Sequence, residues 1–97
     1  MFQRNRITLL PCSELVRRGR SFGQKGYYHE ALECFQLAHE IDPYSPEPKY
    51  DEALTMMLLG RYREGLNAYL ATEKLAPGWY KVRAYIWLAQ AMVSNIW

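Results

Sequence analysis

The stretch GRSFGQKGYYHEALECFQLAHEIDP, residues 19–43, decides the fold. Small residues, aromatic residues and one proline stand in it at defined offsets, at Gly19, Phe22, Gly26, Tyr28, Ala31, Phe35, Ala38 and Pro43. Two antiparallel helices approach closely only where side chains are small, and large rings fill the space beside such a crossing. The stretch therefore predicts two packed helices. They are joined at Gly26, where glycine can adopt the left-handed conformation, and ended by Pro43.

The same pattern returns 34 residues further along the chain. This offset superimposes five identical pairs: Gly26 and Gly60, Tyr28 and Tyr62, Glu30 and Glu64, Leu32 and Leu66, Pro43 and Pro77. Apolar residues keep helical spacing nearly everywhere, and no window alternates strictly with a period of two. The sequence predicts an all-α chain of about five antiparallel helices, at 13–25, 29–41, 46–59, 63–75 and 80–94. Ser45 is expected to cap the third helix, with Pro46 in its first turn.

Composition bounds the class of protein. The 97 residues allow one domain, and two cysteines are too few for a disulfide framework. No apolar run approaches the length of a membrane span, and the opening MFQRNRITLL lacks the apolar region and cleavage site of a signal peptide. The sequence therefore predicts a cytoplasmic protein with reduced thiols.

Charge is unevenly distributed. Residues 1–25 hold six bases and one acid, a balance of 6 − 1 = +5, whereas the remaining residues hold six bases and nine acids, 6 − 9 = −3. Residues 1–11 form a basic N-terminal tail in this interpretation. A basic start can meet an acidic partner or phosphates. The acidic remainder and the absence of a base-stacking motif disfavour nucleic acid.

Residues that could support catalysis or bind a metal are few. His29 and His39 each lie five residues from Cys34, a spacing that does not place two ligands on one helical face. The glycines follow no predicted strand, so they form no phosphate loop. We therefore expect no enzyme activity, no cofactor and no metal site.

The combined spacing resembles the tetratricopeptide repeat (TPR) family, whose 34-residue unit is a helix–turn–helix. Residues 12–45 carry nearly the whole family pattern, residues 46–79 form a second repeat, and residues 80–97 resemble a third first helix. The third unit aligns two residues late, after an inserted Trp-Tyr at 79–80. The second repeat departs from the pattern at Lys49, Glu52, Gly65 and Thr72. The resemblance implies a right-handed superhelical array whose first helices line a concave groove.

The resemblance implies a non-catalytic scaffold or adaptor that holds a partner peptide or helix in this groove. Carried over by position, the groove residues are Val16, Arg20, Gln24, Tyr50, Leu54, Met57, Leu58, Arg83, Ile86 and Gln90. An apolar groove with a basic rim at Arg20, Lys49 and Arg83 suits an amphipathic or acidic partner. The same residues argue against the lysine and asparagine clamp with which one subtype grips chaperone C-termini.

Self-assembly is the alternative function. Stacked repeats usually number at least three and end in a polar cap, whereas the last helix here is apolar. Either the chain is part of a longer array, or it forms a homodimer through Tyr80, Trp87, Leu88 and Trp97.

Overall fold

A computed structural model describes residues 10–79 and 81–94, and within these ranges the chain forms five α-helices and no strand. The helices are α1 (Cys12–Gln24), α2 (Tyr28–Ile41), α3 (Pro46–Leu58), α4 (Tyr62–Leu75) and α5 (Val82–Ser94). The predicted all-α class is confirmed, and each predicted boundary agrees within two residues. Tyr80, Trp97 and most of the basic tail lie outside the described residues.

The turns after α1 and α3 share one geometry at an offset of 34 residues. Gly26 and Gly60 have φ values of 84° and 80°, which only glycine adopts without strain. Beyond each glycine, the next amide donates back across the helix end, from Tyr27 to the Phe22 carbonyl and from Arg61 to the Met56 carbonyl, at 2.9 Å in both. These bonds satisfy carbonyls that a helix end leaves free. The predicted left-handed turn at Gly26 is confirmed.

The start of α3 departs from prediction in one respect. Ser45 stands at the cap position and Pro46 is the first helical residue, as expected, but the Ser45 side chain makes no capping bond. The prediction of a side-chain cap was therefore wrong. Pro46 still fits, since its missing N–H needs no partner there.

Small residues mark the helix crossings, as the opening stretch predicts. A Cβ atom on Gly19 would lie 2.5 Å from the ring of Phe35, which is itself 2% exposed. Ala31 and Ala38 of α2 are fully buried beside it. Gly65 plays the corresponding part in α4, where a Cβ atom would lie 2.7 Å from the Met57 sulfur. In each pair a missing side chain allows close packing.

Consecutive helices pack against each other, and α1 also contacts α3. The described residues extend 43 × 27 × 21 Å. The long axis is about twice the roughly 20 Å length of one such helix. Two apolar clusters form the core. The first joins α1 and α2 through Leu15, Val16, Ala31, Phe35 and Ala38. The second joins α3, α4 and α5 through Ala53, Ala68, Tyr69, Val82, Ile86 and Ala89.

The rotation of α5 corrects the predicted two-residue delay. The helix does begin late, at Val82, but the face it buries follows an unbroken offset of 34 from α3. Its residues Val82, Tyr85, Ile86 and Ala89, all buried or half-buried, superimpose on Pro48, Asp51, Glu52 and Thr55, which are buried in α3. A delay of two residues would rotate the helix by about 200°. The packing of Val82, Ile86 and Ala89 into the second cluster sets the observed rotation instead.

None of the helices that the structure describes combines the length and the apolar character that a bilayer span requires.

Candidate functional site

The odd-numbered helices present pairs of exposed residues at offsets of 34, which we call the first-helix face. It consists of Arg20 and Gln24 on α1, Leu54 and Leu58 on α3, and Leu88 and Met92 on α5. The four apolar members are 41%, 57%, 59% and 40% exposed in that order. Arg20 contacts α3 at Glu47 and Asp51, and Leu54 and Leu58 continue that stripe by one and two turns. The face is polar at α1 and apolar at α3 and α5.

At its α1 end, the face contains a depression of about 490 Å³. Ser13, Val16, Arg17, Arg20, Ser21, Gln24 and Glu47 line it. The structure thus brings together Val16, Arg20 and Gln24, the three groove residues predicted on α1. Val16 is 3% exposed and belongs to the first cluster, so it forms the base of the depression. Arg20 and Gln24 are open to solvent.

Arg20 is held by an ion pair between α1 and α3. Its Nη2 lies 2.8 Å from Asp51 Oδ2, its Nε donates to the same oxygen at 3.0 Å, and Glu47 is 3.9 Å away. Asp51 is buried, which raises the pKa of its carboxyl group, while the Arg20 hydrogen bond opposes that shift. The Arg20 side chain keeps about half of its surface open to solvent.

The other arginines on α1 are also paired. Arg17 and Arg18 both donate to Glu14, and these hydrogen bonds lower the pKa of the Glu14 carboxyl group. Lys49, predicted on the rim, is three-quarters buried, with its ammonium 3.1 Å from the Glu52 carboxylate. That carboxylate oxygen accepts no hydrogen bond, so the contact is one of charge only. Arg20 is therefore the basic residue of the first-helix face, and Arg17 lies beside it at the depression.

Two predicted groove residues on α3 contact the core. Tyr50 packs edge-on against Tyr69, Trp79 and Tyr85, with ring centroids 5.6–5.9 Å apart. Met57 covers Gly65, with its sulfur 2.7 Å from the position that a Cβ atom would take. Both are partly buried against the second cluster, so Leu54 and Leu58 are the open members of the predicted α3 set.

Sequence reasoning missed the aromatic cluster formed by Tyr50, Tyr69, Trp79 and Tyr85. Tyr69 and Tyr85 stack with centroids 5.6 Å apart and planes 10° from parallel. Burial raises the pKa of Tyr69 to about 12. The available signal was the density of aromatic residues between 79 and 85, next to a tyrosine on each of α3 and α4. The cluster packs α5 against α3 and α4.

The three groove residues predicted on α5 differ in their exposure to solvent. Ile86 is 9% exposed and packs in the second cluster, whereas Arg83 and Gln90 are exposed. Arg83 lies 3.7 Å from Glu73 of α4. With this rotation Leu88 and Met92, the counterparts of Leu54 and Leu58 at an offset of 34, are exposed. Leu88 was predicted for self-association, and Met92 was missed.

The described residues contain no group of three or more His, Cys, Asp or Glu side chains placed to bind a metal ion. Burial raises the pKa of both the Cys12 and the Cys34 thiol groups. A raised pKa keeps a thiol protonated at neutral pH, and the thiolate is the nucleophilic form. His29 lies in a second depression, of about 370 Å³, with Leu32, Arg61 and the carboxylates of Glu30 and Glu33.

No protein-family model matches the sequence. Over 61 residues the chain is 36% identical to the uncharacterized protein MJ0572 of Methanocaldococcus jannaschii, in an alignment that covers 60% of this chain and 71% of that protein. The chain therefore belongs to the same protein family as MJ0572.

Proposed function

We propose that the protein is a non-catalytic interaction module of TPR-like architecture that binds a partner helix along the first-helix face. The helices would form a right-handed superhelical array, with α1, α3 and α5 lining its concave side. We place it in the cytoplasm, where thiols such as Cys12 and Cys34 stay reduced.

Two features support the array. The turns at Gly26 and Gly60 repeat one geometry at an offset of 34, so each repeat unit closes in the same way. Each helix packs on its sequence neighbours and α1 also contacts α3, which is the nearest-neighbour pattern of a stacked repeat.

The observation that carries the functional proposal is the exposure of Leu54, Leu58, Leu88 and Met92 at equivalent positions. The other apolar residues of α3 are buried or half-buried, and α5 repeats the exposed pair at Leu88 and Met92. Apolar side chains aligned on adjacent helices are the contact that an amphipathic helix requires. Methionine among them favours adaptable packing.

The dimensions and charge of the first-helix face indicate which kind of ligand fits it. Packed helices lie about 8–10 Å apart, so three rows span about 20 Å. A helix of about 13 residues has that length at 1.5 Å per residue. Arg17 and Arg20 stand at the α1 end and leucines at the other end of the face. The ligand that fits is an amphipathic helix with an apolar stripe and acidic residues at the end that meets α1.

The test uses a synthetic, fluorescein-labelled helical peptide of about 15 residues with leucines on one face and glutamates at one end. A scrambled peptide of equal composition is the comparison. We expect fluorescence anisotropy to show binding of the patterned peptide and a loss of at least about tenfold in affinity for the Leu54→Glu, Leu58→Glu double variant.

Leu70 of α4 provides the matched control. Its exposed fraction of 40% is close to the 41% of Leu54, but α4 does not contribute to the first-helix face. Leu70→Glu should bind the patterned peptide like the wild type. Equal binding of patterned and scrambled peptides, or an unchanged affinity in the double variant, would contradict the proposal.

A further inference from the structure

The outward side of α5 carries an apolar surface that shares only Leu88 with the first-helix face. We call it the Trp87 face: Ala84, Trp87, Leu88 and Ala91, all exposed, with Trp87 79% and Leu88 59% accessible. We propose that this face binds the same face of a second copy of the chain, in an antiparallel, two-fold symmetric pair. The proposal does not rest on the function proposed above.

The packing of the other first helices shows that an ordinary repeat helix does not fit here. At an offset of 34, Trp87 superimposes on Ala53, and Ala53 on Gly19. Ala53 is fully buried, and at Gly19 even a Cβ atom would lie 2.5 Å from the Phe35 ring. A helix crossing α5 as α2 crosses α1 would therefore collide with the indole of Trp87. A helix that packs on the Trp87 face must therefore cross α5 in a different geometry.

The face is complementary to itself. Ala84 lies three residues before Trp87 and Ala91 four residues after it, so one large side chain stands between two small ones on a single stripe. In an antiparallel pair centred near Leu88, each indole meets an alanine of the partner. Alternation of large and small residues across facing positions lets two helices interdigitate. A two-fold axis makes this arrangement closed, so association stops at the dimer.

Charge and area are compatible with a pair of modest strength. Arg83 is the only charged residue of α5, so no like charges face each other at the centre of the contact. The exposed fractions correspond to an area on the order of 500 Å² per copy, or roughly 1,000 Å² for both copies. This is the lower end of specific interfaces, and the dimer is therefore expected to dissociate on dilution.

The first experiment is sedimentation velocity from about 10 μM to about 1 mM. The wild type should shift from a mass of 11.4 kDa toward twice that value as concentration rises. Trp87→Glu should remain monomeric throughout, since it places two carboxylates in the contact. Tyr44→Glu is the matched control, because Tyr44 is an aromatic residue 84% exposed in the turn before α3, and it should dimerise like the wild type.

The second experiment tests the antiparallel arrangement. Leu88→Lys and Leu88→Glu should each be monomeric because equal charges meet near the two-fold axis, and an equimolar mixture should recover the dimer. Far-UV circular dichroism verifies that every variant is folded. A wild type that stays monomeric up to about 1 mM, or a Trp87→Glu variant that dimerises like the wild type, would overturn the proposal. Folded Leu88 variants that fail to associate when mixed would overturn the antiparallel arrangement.

Discussion

At the residue scale, two glycines of one helix have different roles. Gly19 and Gly23 both lie in α1, one turn apart. An added Cβ atom would meet the Phe35 ring at 2.5 Å from Gly19, but it would meet nothing within 4 Å from Gly23. Phe35 is buried and cannot move aside easily. Only Gly19 is required by the packing of α1 on α2.

This difference predicts opposite effects of the same substitution. Gly19→Ala should lower the free energy of unfolding by about 1–3 kcal/mol, because overpacking outweighs the gain in helix propensity. Gly23→Ala should raise it by up to about 1 kcal/mol, because alanine favours the helix and meets no clash. Urea denaturation of both variants gives the two values. A stability gain in Gly19→Ala would show that the crossing is looser than described.

At the element scale, charged groups join α1 to α3 beside the apolar clusters. Asp51 of α3 is buried, accepts a hydrogen bond from Arg20 Nε and forms an ion pair with Arg20 Nη2. Burial raises the pKa of Asp51 more than Arg20 lowers it. Ionised Asp51 therefore costs the folded state free energy, and the pair positions the helices without a net gain in stability from this carboxylate.

The sign of the Asp51 effect can be tested by pH. Because its pKa is raised above the ordinary value of 3.8, the folded chain keeps this proton to higher pH than the unfolded chain does. The Asp51 contribution to stability therefore falls as pH rises from below 3.8 through the folded-state pKa. Asp51→Asn should remove this loss, so its free energy of unfolding relative to wild type should increase between about pH 3 and pH 7.

Glu14 supplies the control of opposite sign. Hydrogen bonds from Arg17 and Arg18 lower its pKa below the ordinary value of 4.5, so its contribution is present above 4.5 and lost as pH falls through the lowered pKa. The free energy of unfolding of Glu14→Gln relative to wild type should therefore decrease as pH rises. Equal slopes for the two variants would contradict the assignment.

At the scale of the whole molecule, the core is divided along the chain. Phe35 of the first cluster and Tyr69 of the second are 34 residues apart, and they are 2% and 1% exposed. In a stacked arrangement each unit is stabilised by itself and by its neighbours, so its stability responds to local changes. The two residues are a matched pair for testing this behaviour.

Hydrogen exchange of the Phe35→Leu and Tyr69→Leu variants measures this division. Phe35→Leu should reduce amide protection more in α1 and α2 than in α4 and α5, and Tyr69→Leu should show the reverse. Each loss of about 1.4 kcal/mol appears as about a tenfold faster exchange in the affected helices. A uniform loss over all five helices would mean that the molecule unfolds as a single unit.

What the sequence by itself determined is the set of local features. The helix boundaries, the left-handed turns at Gly26 and Gly60 and the close crossing at Gly19 were predictable because apolar spacing, prolines and glycines act on neighbouring residues. The groove positions implied by the resemblance divide in the structure: Arg20, Gln24, Leu54 and Leu58 are exposed, whereas Val16 and Ile86 are buried.

Only the tertiary structure decided which side of α5 faces which neighbour. This helix is apolar on both its buried side, at Val82 and Ile86, and its open side, at Trp87 and Leu88, so its own sequence permits either rotation. The rings around Tyr50 and the buried small residue Ala89 select one of them. That choice turns Ile86 inward and brings Leu88 and Met92 to the surface. The rotation of a helix depends on the elements it packs against, which lie far away in sequence.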